Sequence, residues 1–232
     1  MGKDKLKRFA EIATFEHVLE PTWDDAISGD FQLKGKWASD FFKNDHPIVL
    51  ELACGGGEYT VGLAELYPNL NFLGVDIKGN RIWKGAKYAL ENGLNNVGFL
   101  RTRIDFIENF FAAGEVQDIW ITFPDPQREK NRTRKRLTHP LFLNRYRKFL
   151  AEEGRVRLKT DSTFLYDFTK EILANEKITP LVDSNNIYEV LLPPQKGSAL
   201  DQELAIKTYY EKRWLDEGKK IKYLEFQLST DH

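Results

Sequence analysis

The stretch Ile48-Val49-Leu50-Glu51-Leu52-Ala53-Cys54-Gly55-Gly56-Gly57 decides the fold that this sequence predicts. Its first five residues form an apolar run that a single acid interrupts, which is typical of a buried strand. The glycines that follow tolerate positive φ and let the backbone approach a ligand closely. Residues 58–67 then show the spacing of apolar side chains expected of a helix. The stretch therefore predicts a strand, a ligand-binding turn and a helix.

The same alternation continues on the carboxyl side of this unit. Apolar runs predict strands at 48–52, 72–77, 97–101, 118–123 and 155–160, and helical patterns lie between or after them at 58–67, 81–92, 104–111, 140–150 and 162–175. Strands that alternate with helices predict an α/β fold with a doubly wound, mostly parallel sheet. The tail differs, because residues 187–192 and 221–228 look like strands and 209–217 like a helix. We expect these two strands to form an antiparallel pair at the sheet edge.

The whole chain, residues 1–232, is predicted to form a single domain. Residues 1–45 contain many aromatic side chains but no regular pattern, so we expect an irregular, amphipathic N-terminal extension. Residues 46–232 carry the strand–helix alternation and are predicted to be the catalytic core.

The composition excludes several classes of protein. The longest run without a charged residue is the ten residues 66–75, about half of what a bilayer-spanning helix requires. A single cysteine makes neither an internal disulfide nor a cysteine-based metal site, which fits a reducing compartment. The N-terminus lacks the apolar segment of an export signal. We therefore expect a cytoplasmic protein without a membrane segment.

The charge is distributed unevenly along the chain. The net charge is −1, yet residues 125–148 contain nine basic and two acidic side chains and carry +7, which leaves −8 for the rest. A nearly neutral protein with one such basic segment presents a local positive field to a polyanion. The alternative is that the segment is an ordinary solvated face.

The chemistry of the first turn favours one class of cofactor. A dinucleotide-binding turn needs a third glycine, and the register Gly55-x-Gly57-x-x-Thr60 lacks it. Glu51 precedes the turn and Glu58 follows it, a poor environment for a diphosphate. A carboxylate there suits a cofactor with an ammonium or a sulfonium group, and S-adenosylmethionine carries both. The alternative for Glu51 is a buried, hydrogen-bonded structural role.

Two further residues near the turn bear on the cofactor. Asp76 closes the second strand, 19 residues after Gly57, where an acid accepts hydrogen bonds from the two hydroxyls of a ribose. The alternative role of Asp76 is to cap the helix that follows. Cys54 has no histidine near it in sequence and is interpreted as a packing residue, not a nucleophile.

The fourth predicted strand ends in Phe123-Pro124-Asp125-Pro126. In a doubly wound sheet this end lies beside the first strand, at the crevice where ligands bind. The two prolines stiffen the backbone and hold Asp125 at that crevice. Because the basic segment follows at once, an anionic polymer on the segment could place one of its groups in the pocket. The alternative for Asp125 is a turn residue.

These motifs, in this order, resemble the bacterial tRNA (guanine-N7)-methyltransferase family, whose members methylate a guanine in the variable loop of tRNA. The resemblance runs from about residue 48 to the C-terminus. It rests on the Glu-x-x-Cys-Gly-x-Gly turn, the element at 123–126, the basic run ending at 135–140, Lys159-Thr160-Asp161, and Thr208-Tyr209-Tyr210-Glu211. It implies a Rossmann-like fold of the class I S-adenosylmethionine-dependent methyltransferases and no metal. It also implies a monomer or homodimer without an obligatory protein partner.

The resemblance also implies roles for individual residues. Asp125 is expected at the methyl-transfer centre. The residues expected to bind the cofactor are Glu51, Ala53, Gly55, Gly57, Asp76, Arg103 and Asp105. Those expected to hold the tRNA and its guanine are Arg128, Glu129, Lys130, Asp161, Thr208, Glu211 and Arg213.

Three positions depart from the family pattern. Ala53 stands where the family has glycine, and its methyl group fits if φ is negative there. Arg103 stands where an acid or amide reads the adenine, and an arginine cannot accept that hydrogen bond. Asp105, backbone carbonyls or stacking must then hold the base. Gln127 replaces a tryptophan, and Glu129 replaces a lysine that Arg128 and Lys130 flank.

Three other functions remain open at the level of the sequence. One is methylation of a different RNA base by the same fold. Another is a catalytically impaired RNA-binding relative, which the departures at Ala53, Arg103 and Gln127 would suit. The third is an NAD-dependent dehydrogenase, which the missing glycine register disfavours. Affinity for S-adenosylmethionine separates the last two from the methyltransferases.

Overall fold

The computed structural model describes residues 3–190 and 198–229. The helices are α1 (Lys3–Ile12), α2 (Trp23–Ser28), α3 (Glu58–Leu66), α4 (Gly79–Glu91), α5 (Pro140–Arg147), α6 (Thr163–Asn175), α7 (Ile187–Val190), α8 (Ala199–Ala205) and α9 (Tyr209–Asp216). A π-helix spans Trp37–Phe42, and 3₁₀-helices span Ile104–Asn109 and Lys130–Lys135. The strands are β1 (Val18–Leu19), β2 (Ile48–Leu52), β3 (Asn71–Asp76), β4 (Val97–Arg101), β5 (Val116–Thr122), β6 (Leu150–Thr160), β7 (Val182–Ser184) and β8 (Lys222–Gln227).

The described strands form one sheet in the order β1-β4-β3-β2-β5-β6-β8-β7. All neighbouring strands from β1 to β6 in this order pair in parallel. The strand β8 pairs antiparallel with β6, and β7 pairs antiparallel with β8. The α/β class, the mostly parallel sheet and the antiparallel C-terminal pair are thereby confirmed. The order in which successive strands are added to the sheet reverses at β2, which lies between β3 and β5. Ligands of such sheets bind at the carboxyl ends of the strands beside that switch.

One member of the antiparallel pair differs from the sequence prediction. The partner of β8 is the short β7, whereas Ile187–Val190 forms helix α7. Residues 191 and 192 of the predicted strand lie outside the described residues. A short apolar run does not distinguish a strand from a buried helical turn, which explains the error.

The N-terminal segment is more ordered than its sequence predicts. Its strand β1 pairs in parallel with β4 at the sheet edge, and α1 packs against α4. The side chain of Trp37 is fully buried, and its Nε1 donates to the carbonyl oxygen of Phe110 at 2.8 Å. The expectation of an irregular extension is therefore wrong, because its aromatic side chains complete the core. The division at residues 45 and 46 and the single domain remain predictions.

The core lies on both faces of the sheet. Side chains alternate along β2, so that Leu50 and Leu52 join one buried cluster with Trp37 while Val49 joins a second cluster with Trp120. Every residue of β2 is buried, which is expected for the central strand of a sheet with helices on both faces. No helix in the described part of the chain is long and apolar enough to cross a membrane.

Candidate active site

The turn after β2 approaches its neighbours closely. Gly57 has φ +71°, and a Cβ built on it would lie 2.7 Å from the ring of Phe99. Gly55 has φ +57°, and its N–H donates to Oδ2 of Asp76 at 3.0 Å. Both glycines adopt a left-handed conformation that side chains disfavour, and Gly57 also lacks room for one. The turn that the sequence predicts as a ligand-binding element therefore requires glycine at both positions.

Ala53 corrects one expectation. Its φ is +59°, not the negative value under which its methyl group was expected to fit. Left-handed backbone costs an L-residue about 1–2 kcal/mol, so the chain carries strain at the position where the resembled family has glycine. Strain of this kind persists where the surrounding structure holds it, often at functional sites.

We expect Ala53→Gly to raise the free energy of unfolding by about 0.5–1 kcal/mol, because relief of the strain exceeds the added chain entropy of glycine. Chemical denaturation measures the change. Ala174→Gly is the control, since Ala174 is exposed within α6 and glycine there lowers stability by about 0.5–1 kcal/mol. A loss of stability in both variants would show that Ala53 is unstrained.

Asp76 lies at the carboxyl end of β3, next to the turn. Its Oδ2 accepts from the Gly55 N–H at 3.0 Å, and its Oδ1 accepts from the Lys78 N–H at 2.8 Å. An ionised carboxylate has about four lone-pair positions, so it retains capacity for ribose hydroxyls. Lys78, not Asp76, occupies the N-cap position of α4, and among the described residues no side chain caps this helix. The capping alternative for Asp76 is therefore wrong, and ribose binding stays a prediction.

A cavity of about 290 Å³ opens at this edge of the sheet. It brings together residues from the ends of β2, β3 and β4 and from the segment after β5. The lining consists of Ala53, Asp76, Ile77, Thr102, Arg103, Ile104, Asp105, Gln127, Lys135, Leu137 and Phe142. A second cavity of about 310 Å³ shares Ile77, Thr102 and Arg103 with it and extends to Trp23. We call the first cavity the cofactor cleft.

Arg103 and Asp105 both line the cofactor cleft and bind each other. Both Nε and Nη2 of Arg103 donate to Oδ2 of Asp105, at 3.3 and 3.1 Å. Both side chains are about half exposed, so the pair is weak and open to competition from a ligand. The arrangement leaves Asp105 available as the acceptor that Arg103 cannot provide.

Glu51 lies behind the turn, with its side chain almost completely buried. Its Oε2 accepts from the Thr60 N–H at 2.8 Å and from the Thr60 hydroxyl, and its Oε1 accepts from the Thr122 hydroxyl. Burial raises the pKa of this carboxyl to about 7, against the opposing effect of the hydrogen bonds from Thr122 and Thr60. The buried, hydrogen-bonded alternative describes Glu51 here, and its contact with a cofactor remains a prediction.

The segment after β5 reaches the cleft through Gln127. Phe123 has φ +47° and Gln127 has φ +46°, and such values are outliers for bulky residues. Asp125 is exposed, and its Oδ1 accepts from the Gln127 N–H at 3.0 Å. Asp125 therefore closes a turn with Gln127, and the sequence leaves open whether its role is catalytic or that of a turn residue. Gln127, which stands where the resembled family has tryptophan, lines the cofactor cleft.

The basic segment borders the same cleft, as its place in the sequence suggested. It begins as the 3₁₀-helix Lys130–Lys135, in which Arg134 and Lys135 are exposed, and Lys135 lines the cleft. Glu129 is also exposed and pairs with Arg132 at 2.9 Å. A cationic surface therefore adjoins the cavity at the strand ends.

Arg136 does not belong to this exposed surface. It is buried with its guanidinium over the rings of Phe164 and Phe168, at 4.5 and 4.4 Å from the ring centres. Its Nε also donates to the carbonyl oxygen of Gln127 at 3.2 Å. Its contacts are those of an anchor that holds the segment after β5 onto α6.

The remaining predicted substrate residues fall into two groups. Arg128 and Lys130 are exposed on the segment after β5, and Asp161 follows β6 at the same edge. Arg213 is exposed on α9 and pairs with Glu217 at 3.2 Å. These side chains are accessible to a ligand.

Thr208 and Glu211 form the second group, which is buried. The Thr208 hydroxyl caps α9 by accepting from the Glu211 N–H at 3.1 Å. Glu211 is fully buried, and its Oε2 accepts from Nζ of Lys159 at 2.8 Å while its Oε1 accepts from the Tyr188 hydroxyl at 2.8 Å. This conformation does not present Glu211 to a substrate, so its contact with guanine stays a prediction.

Lys159 is the buried partner of Glu211, and the sequence alone assigns it no role. It is fully buried, and its Nζ also donates to the carbonyl oxygens of Leu204 and Ile206, at 2.8 and 3.0 Å. Burial lowers the pKa of this amine to about 8, against the opposing effect of Glu211. The backbone carbonyl oxygen of Lys159 accepts from the N–H of Phe123 at 2.8 Å. In the sequence Lys159 alternates with Arg155 and Arg157 on one face of the strand, so no local signal distinguishes it as buried.

Cys54 is buried and lies next to acids. Burial raises the pKa of its thiol well above the usual value, and the nearby carboxylates of Glu51 and Asp76 add to the effect. These surroundings are those of a packing residue, not of an activated nucleophile. Among residues 3–190 and 198–229, no group of three or more His, Cys, Asp or Glu side chains is arranged to hold a metal ion.

The fold is that of the class I S-adenosylmethionine-dependent methyltransferases. Solved structures of that class share the fold: the 16S rRNA methyltransferase KamB has a TM-score of 0.58 and 14% identity over 79% of this chain and 88% of its own. The 16S rRNA (adenine(1408)-N(1))-methyltransferase from Catenulisporales acidiphilia has a TM-score of 0.57 and 12% identity over 85% of this chain and 93% of its own.

Sequence comparison identifies the family within that class. A family model described as "Putative methyltransferase" matches residues 45–224. The tRNA (guanine-N(7)-)-methyltransferase of Bacteroides thetaiotaomicron is 49% identical over 100% of this chain and 88% of its own length. That of Christiangramia forsetii is 49% identical over 98% of this chain and 99% of its own length. The chain belongs to the tRNA (guanine-N7)-methyltransferase family.

Proposed function

We propose that this protein transfers a methyl group from S-adenosylmethionine to the N7 atom of a guanine in the variable loop of tRNA. One observation carries the proposal: Gln127 and Lys135 line the same cavity as Ala53 and Asp76. The turn after Asp125 and the cationic 3₁₀-helix thus adjoin the end of the cofactor-binding strands. The relatives at 49% identity are named tRNA (guanine-N(7)-)-methyltransferase.

The residues around the cleft fit such a cofactor. Asp76 retains lone pairs for ribose hydroxyls, and Asp105 provides an acceptor beside Arg103 for the adenine. Glu51 lies behind the turn, and in its ionised form it would supply the negative charge that an ammonium requires; burial raises its pKa to about 7. When bound, S-adenosylmethionine supplies an electrophilic methyl group on a positively charged sulfur.

The reaction needs alignment more than proton transfer. Guanine N7 already carries a lone pair, so no general base has to remove a proton from it. Methylation leaves the purine positively charged, and the carboxylate of Asp125 stabilises that charge as it develops. The strained backbone at Phe123 and the turn that closes onto Gln127 hold this carboxylate in place. Most of the rate enhancement is then due to positioning and electrostatics.

The substrate guanine has to be accessible outside a regular helix. In A-form RNA the groove that displays N7 is too deep and narrow for side chains to read. A guanine in a loop avoids this obstacle, or it can be extruded from its stack. The exposed cations at Arg128, Lys130, Arg134 and Lys135 would contact the neighbouring phosphates.

Cofactor affinity is expected to depend on pH through Glu51. Its folded-state pKa of about 7 means that the free protein is protonated there below pH 7. An ammonium beside it favours the anion, so binding releases a proton, and affinity falls up to about tenfold per pH unit below pH 7. Calorimetry in buffers of different ionisation enthalpy, from pH 5.5 to 7.5, measures the release.

Glu51→Gln is the matched variant, because it mimics the protonated carboxyl. It should bind S-adenosylmethionine at least about tenfold more weakly at pH 7.5 and show a nearly flat pH profile. The raised pKa also affects stability: the free energy of unfolding of the free protein falls by up to about 3 kcal/mol as pH rises from the usual glutamate pKa of 4.5 to about 7, and the variant lacks this fall. Identical pH profiles in both proteins would exclude Glu51 from the cofactor site.

The exposed part of the basic segment is expected to dominate the salt dependence of tRNA binding. Each phosphate contact contributes a log–log slope of roughly −0.7 to −0.9. The triple variant Lys130→Gln, Arg134→Gln, Lys135→Gln should therefore reduce the slope by about 2–2.7. Arg136 is left in place because it is a buried anchor. Fluorescence anisotropy with labelled tRNA at several salt concentrations measures the slope, and an unchanged slope would place the RNA elsewhere.

The experiment that tests the function maps the modified base. Unmodified tRNA is incubated with the protein and labelled S-adenosylmethionine, and the RNA is then cleaved chemically at 7-methylguanine. We expect one cleavage, at the variable-loop guanine. Methylation of another base would assign a different RNA substrate atom, and tRNA binding without affinity for S-adenosylmethionine would favour the impaired RNA-binding relative.

Compartment and assembly extend the proposal. We place the enzyme in the cytoplasm, where tRNA and S-adenosylmethionine are present, as a monomer or homodimer that acts without an obligatory protein partner. Sedimentation with and without tRNA tests the assembly.

A further inference from the structure

A second charged groove lies next to the predicted substrate residues and shares no lining residue with the cofactor cleft. It has a volume of about 720 Å³ and runs between the segment after β5, the start of α6 and the turn before β8. Arg128 and Asp161 line it, together with Phe164, Lys170, Lys219 and Lys220. Asp161 follows β6, the strand beside β5. The groove is therefore at the same edge of the sheet as Asp125.

The lining of this groove contains more basic than acidic side chains. It has five basic residues and two acidic ones, Asp161 and Asp167, and three of its lysines pair with acids outside the lining, namely Asp183, Glu189 and Glu217. One of the basic residues, Lys222, is buried and donates to the carbonyl oxygens of Asp161 and Lys220. Arg128, Lys170 and Lys220 are exposed and Lys219 is half-buried, so four cations face solvent or a ligand. Residues 219–222 are distant in sequence from the basic segment and add to its field only through the fold.

The ion pairs in the groove are of the kind that a phosphate can replace. Lys220 and Glu189 lie 3.6 Å apart, with both side chains more than half exposed. Lys170 pairs with Asp183 at 2.7 Å, also near the surface. Exposed pairs contribute about 0–1 kcal/mol and are screened by salt. A phosphate with its own charge and several acceptor oxygens competes well for such cations.

The groove also contains a flat aromatic surface. The ring of Phe164 is half-buried; the guanidinium of Arg136 lies over it at 4.5 Å, and that of Arg128 lies 5.7 Å from its centre. Phe164 and Lys170 are six residues apart on α6, which corresponds to about 9 Å along the helix. That distance spans about three nucleotides of a stacked strand at about 3.4 Å each. An aromatic ring beside a row of cations is how proteins hold single-stranded RNA.

We propose that this groove binds the single-stranded RNA that flanks the target guanine, with phosphates on Lys170, Lys219 and Lys220 and a base against Phe164. The inference rests on the proposed function, because it takes the RNA to be the substrate whose guanine reaches Asp125. It adds a second surface to the basic segment. The RNA then contacts the protein at both surfaces, which restricts the positions that the guanine can take.

Binding of unmodified tRNA by anisotropy tests the lysines. Lys219→Gln/Lys220→Gln should reduce the magnitude of the log–log salt slope by about 1.4–1.8, the loss of two phosphate contacts. The KM for tRNA should rise by about tenfold at physiological salt, while kcat and the affinity for S-adenosylmethionine change less than about twofold. The control is Lys34→Gln/Lys36→Gln, which removes two exposed lysines far from the groove. They flank Gly35, whose N–H donates to Glu115 at the amino end of β5, the end opposite to Asp125. The control should match the unaltered protein.

Phe164→Leu tests the aromatic surface. It should weaken tRNA binding at least about fivefold, the lower end of the range for one lost base stack, with an unchanged salt slope. Thermal unfolding and cofactor affinity show whether the variant is folded. If the lysine variant keeps its full salt slope, or Phe164→Leu binds tRNA normally, the groove does not hold RNA. Because binding is measured without turnover, absence of methyl transfer by the unaltered protein would contradict the proposed function and leave this test valid.

Discussion

Replacement of Asp125 by asparagine should reduce turnover by about 10²–10³-fold and leave folding and cofactor affinity intact. The amide oxygen of asparagine can still accept from the Gln127 N–H, which the carboxylate accepts at 3.0 Å, so the turn is preserved. Only the negative charge is lost, and with it the stabilisation of the purine cation. Single-turnover measurements of methyl transfer at saturating tRNA report this loss directly.

Asp30→Asn is the control for this result, because it alters a carboxylate of the N-terminal segment that lies outside the cofactor cleft. It should leave turnover within about twofold of the unaltered enzyme. Calorimetric titration with S-adenosylmethionine and a thermal unfolding curve verify that Asp125→Asn retains its cofactor site. Near-normal turnover in that variant would remove Asp125 from the mechanism and leave it as a turn residue.

Replacement of Lys159 by methionine should destabilise the protein strongly. It leaves Glu211 buried without its cation, and breaking a buried pair in this way costs about 3–5 kcal/mol. For a chain of 232 residues this corresponds to a fall in Tm of about 6–20 °C. The carbonyl oxygens of Leu204 and Ile206 lose their donor as well. Thermal and chemical unfolding measure the effect.

The double variant Lys159→Met/Glu211→Gln distinguishes charge from packing. It removes both charges, and glutamine can still accept from the Tyr188 hydroxyl that Glu211 binds at 2.8 Å. Neutral replacements of buried ion pairs are often tolerated, so we expect at least half of the lost stability to return. A single variant as stable as the unaltered protein would show that the pair does not hold α9 against the sheet.

The sequence predicts the central sheet well because burial leaves a strong local signal. The strand β2 is buried at every position, so its apolar run is continuous and easily recognised. The two-residue strand β1 and the three-residue β7 are too short for any periodicity. Their pairing depends on neighbours that are distant in the chain, such as β4 for β1.

The site divides in the same way. The acid at Asp76 and the turn at 53–57 follow directly from a strand–turn–helix pattern, and the structure places Ala53 and Asp76 in one cavity. Contacts made across the fold could not be predicted. Lys159 and Glu211 are 52 residues apart, and Arg136 is buried by rings from α6. In the sequence, all three residues resemble ordinary surface charges.

The most direct test of the central claim, methyl transfer to guanine N7, uses a tRNA in which the variable-loop guanine is replaced by 7-deazaguanine. This base keeps its Watson–Crick edge but has carbon in place of N7, so it has no lone pair to attack the methyl group. We predict that the protein binds this tRNA as tightly as the unmodified one and transfers no methyl to it. Transfer at an undiminished rate would show that the enzyme modifies a different atom.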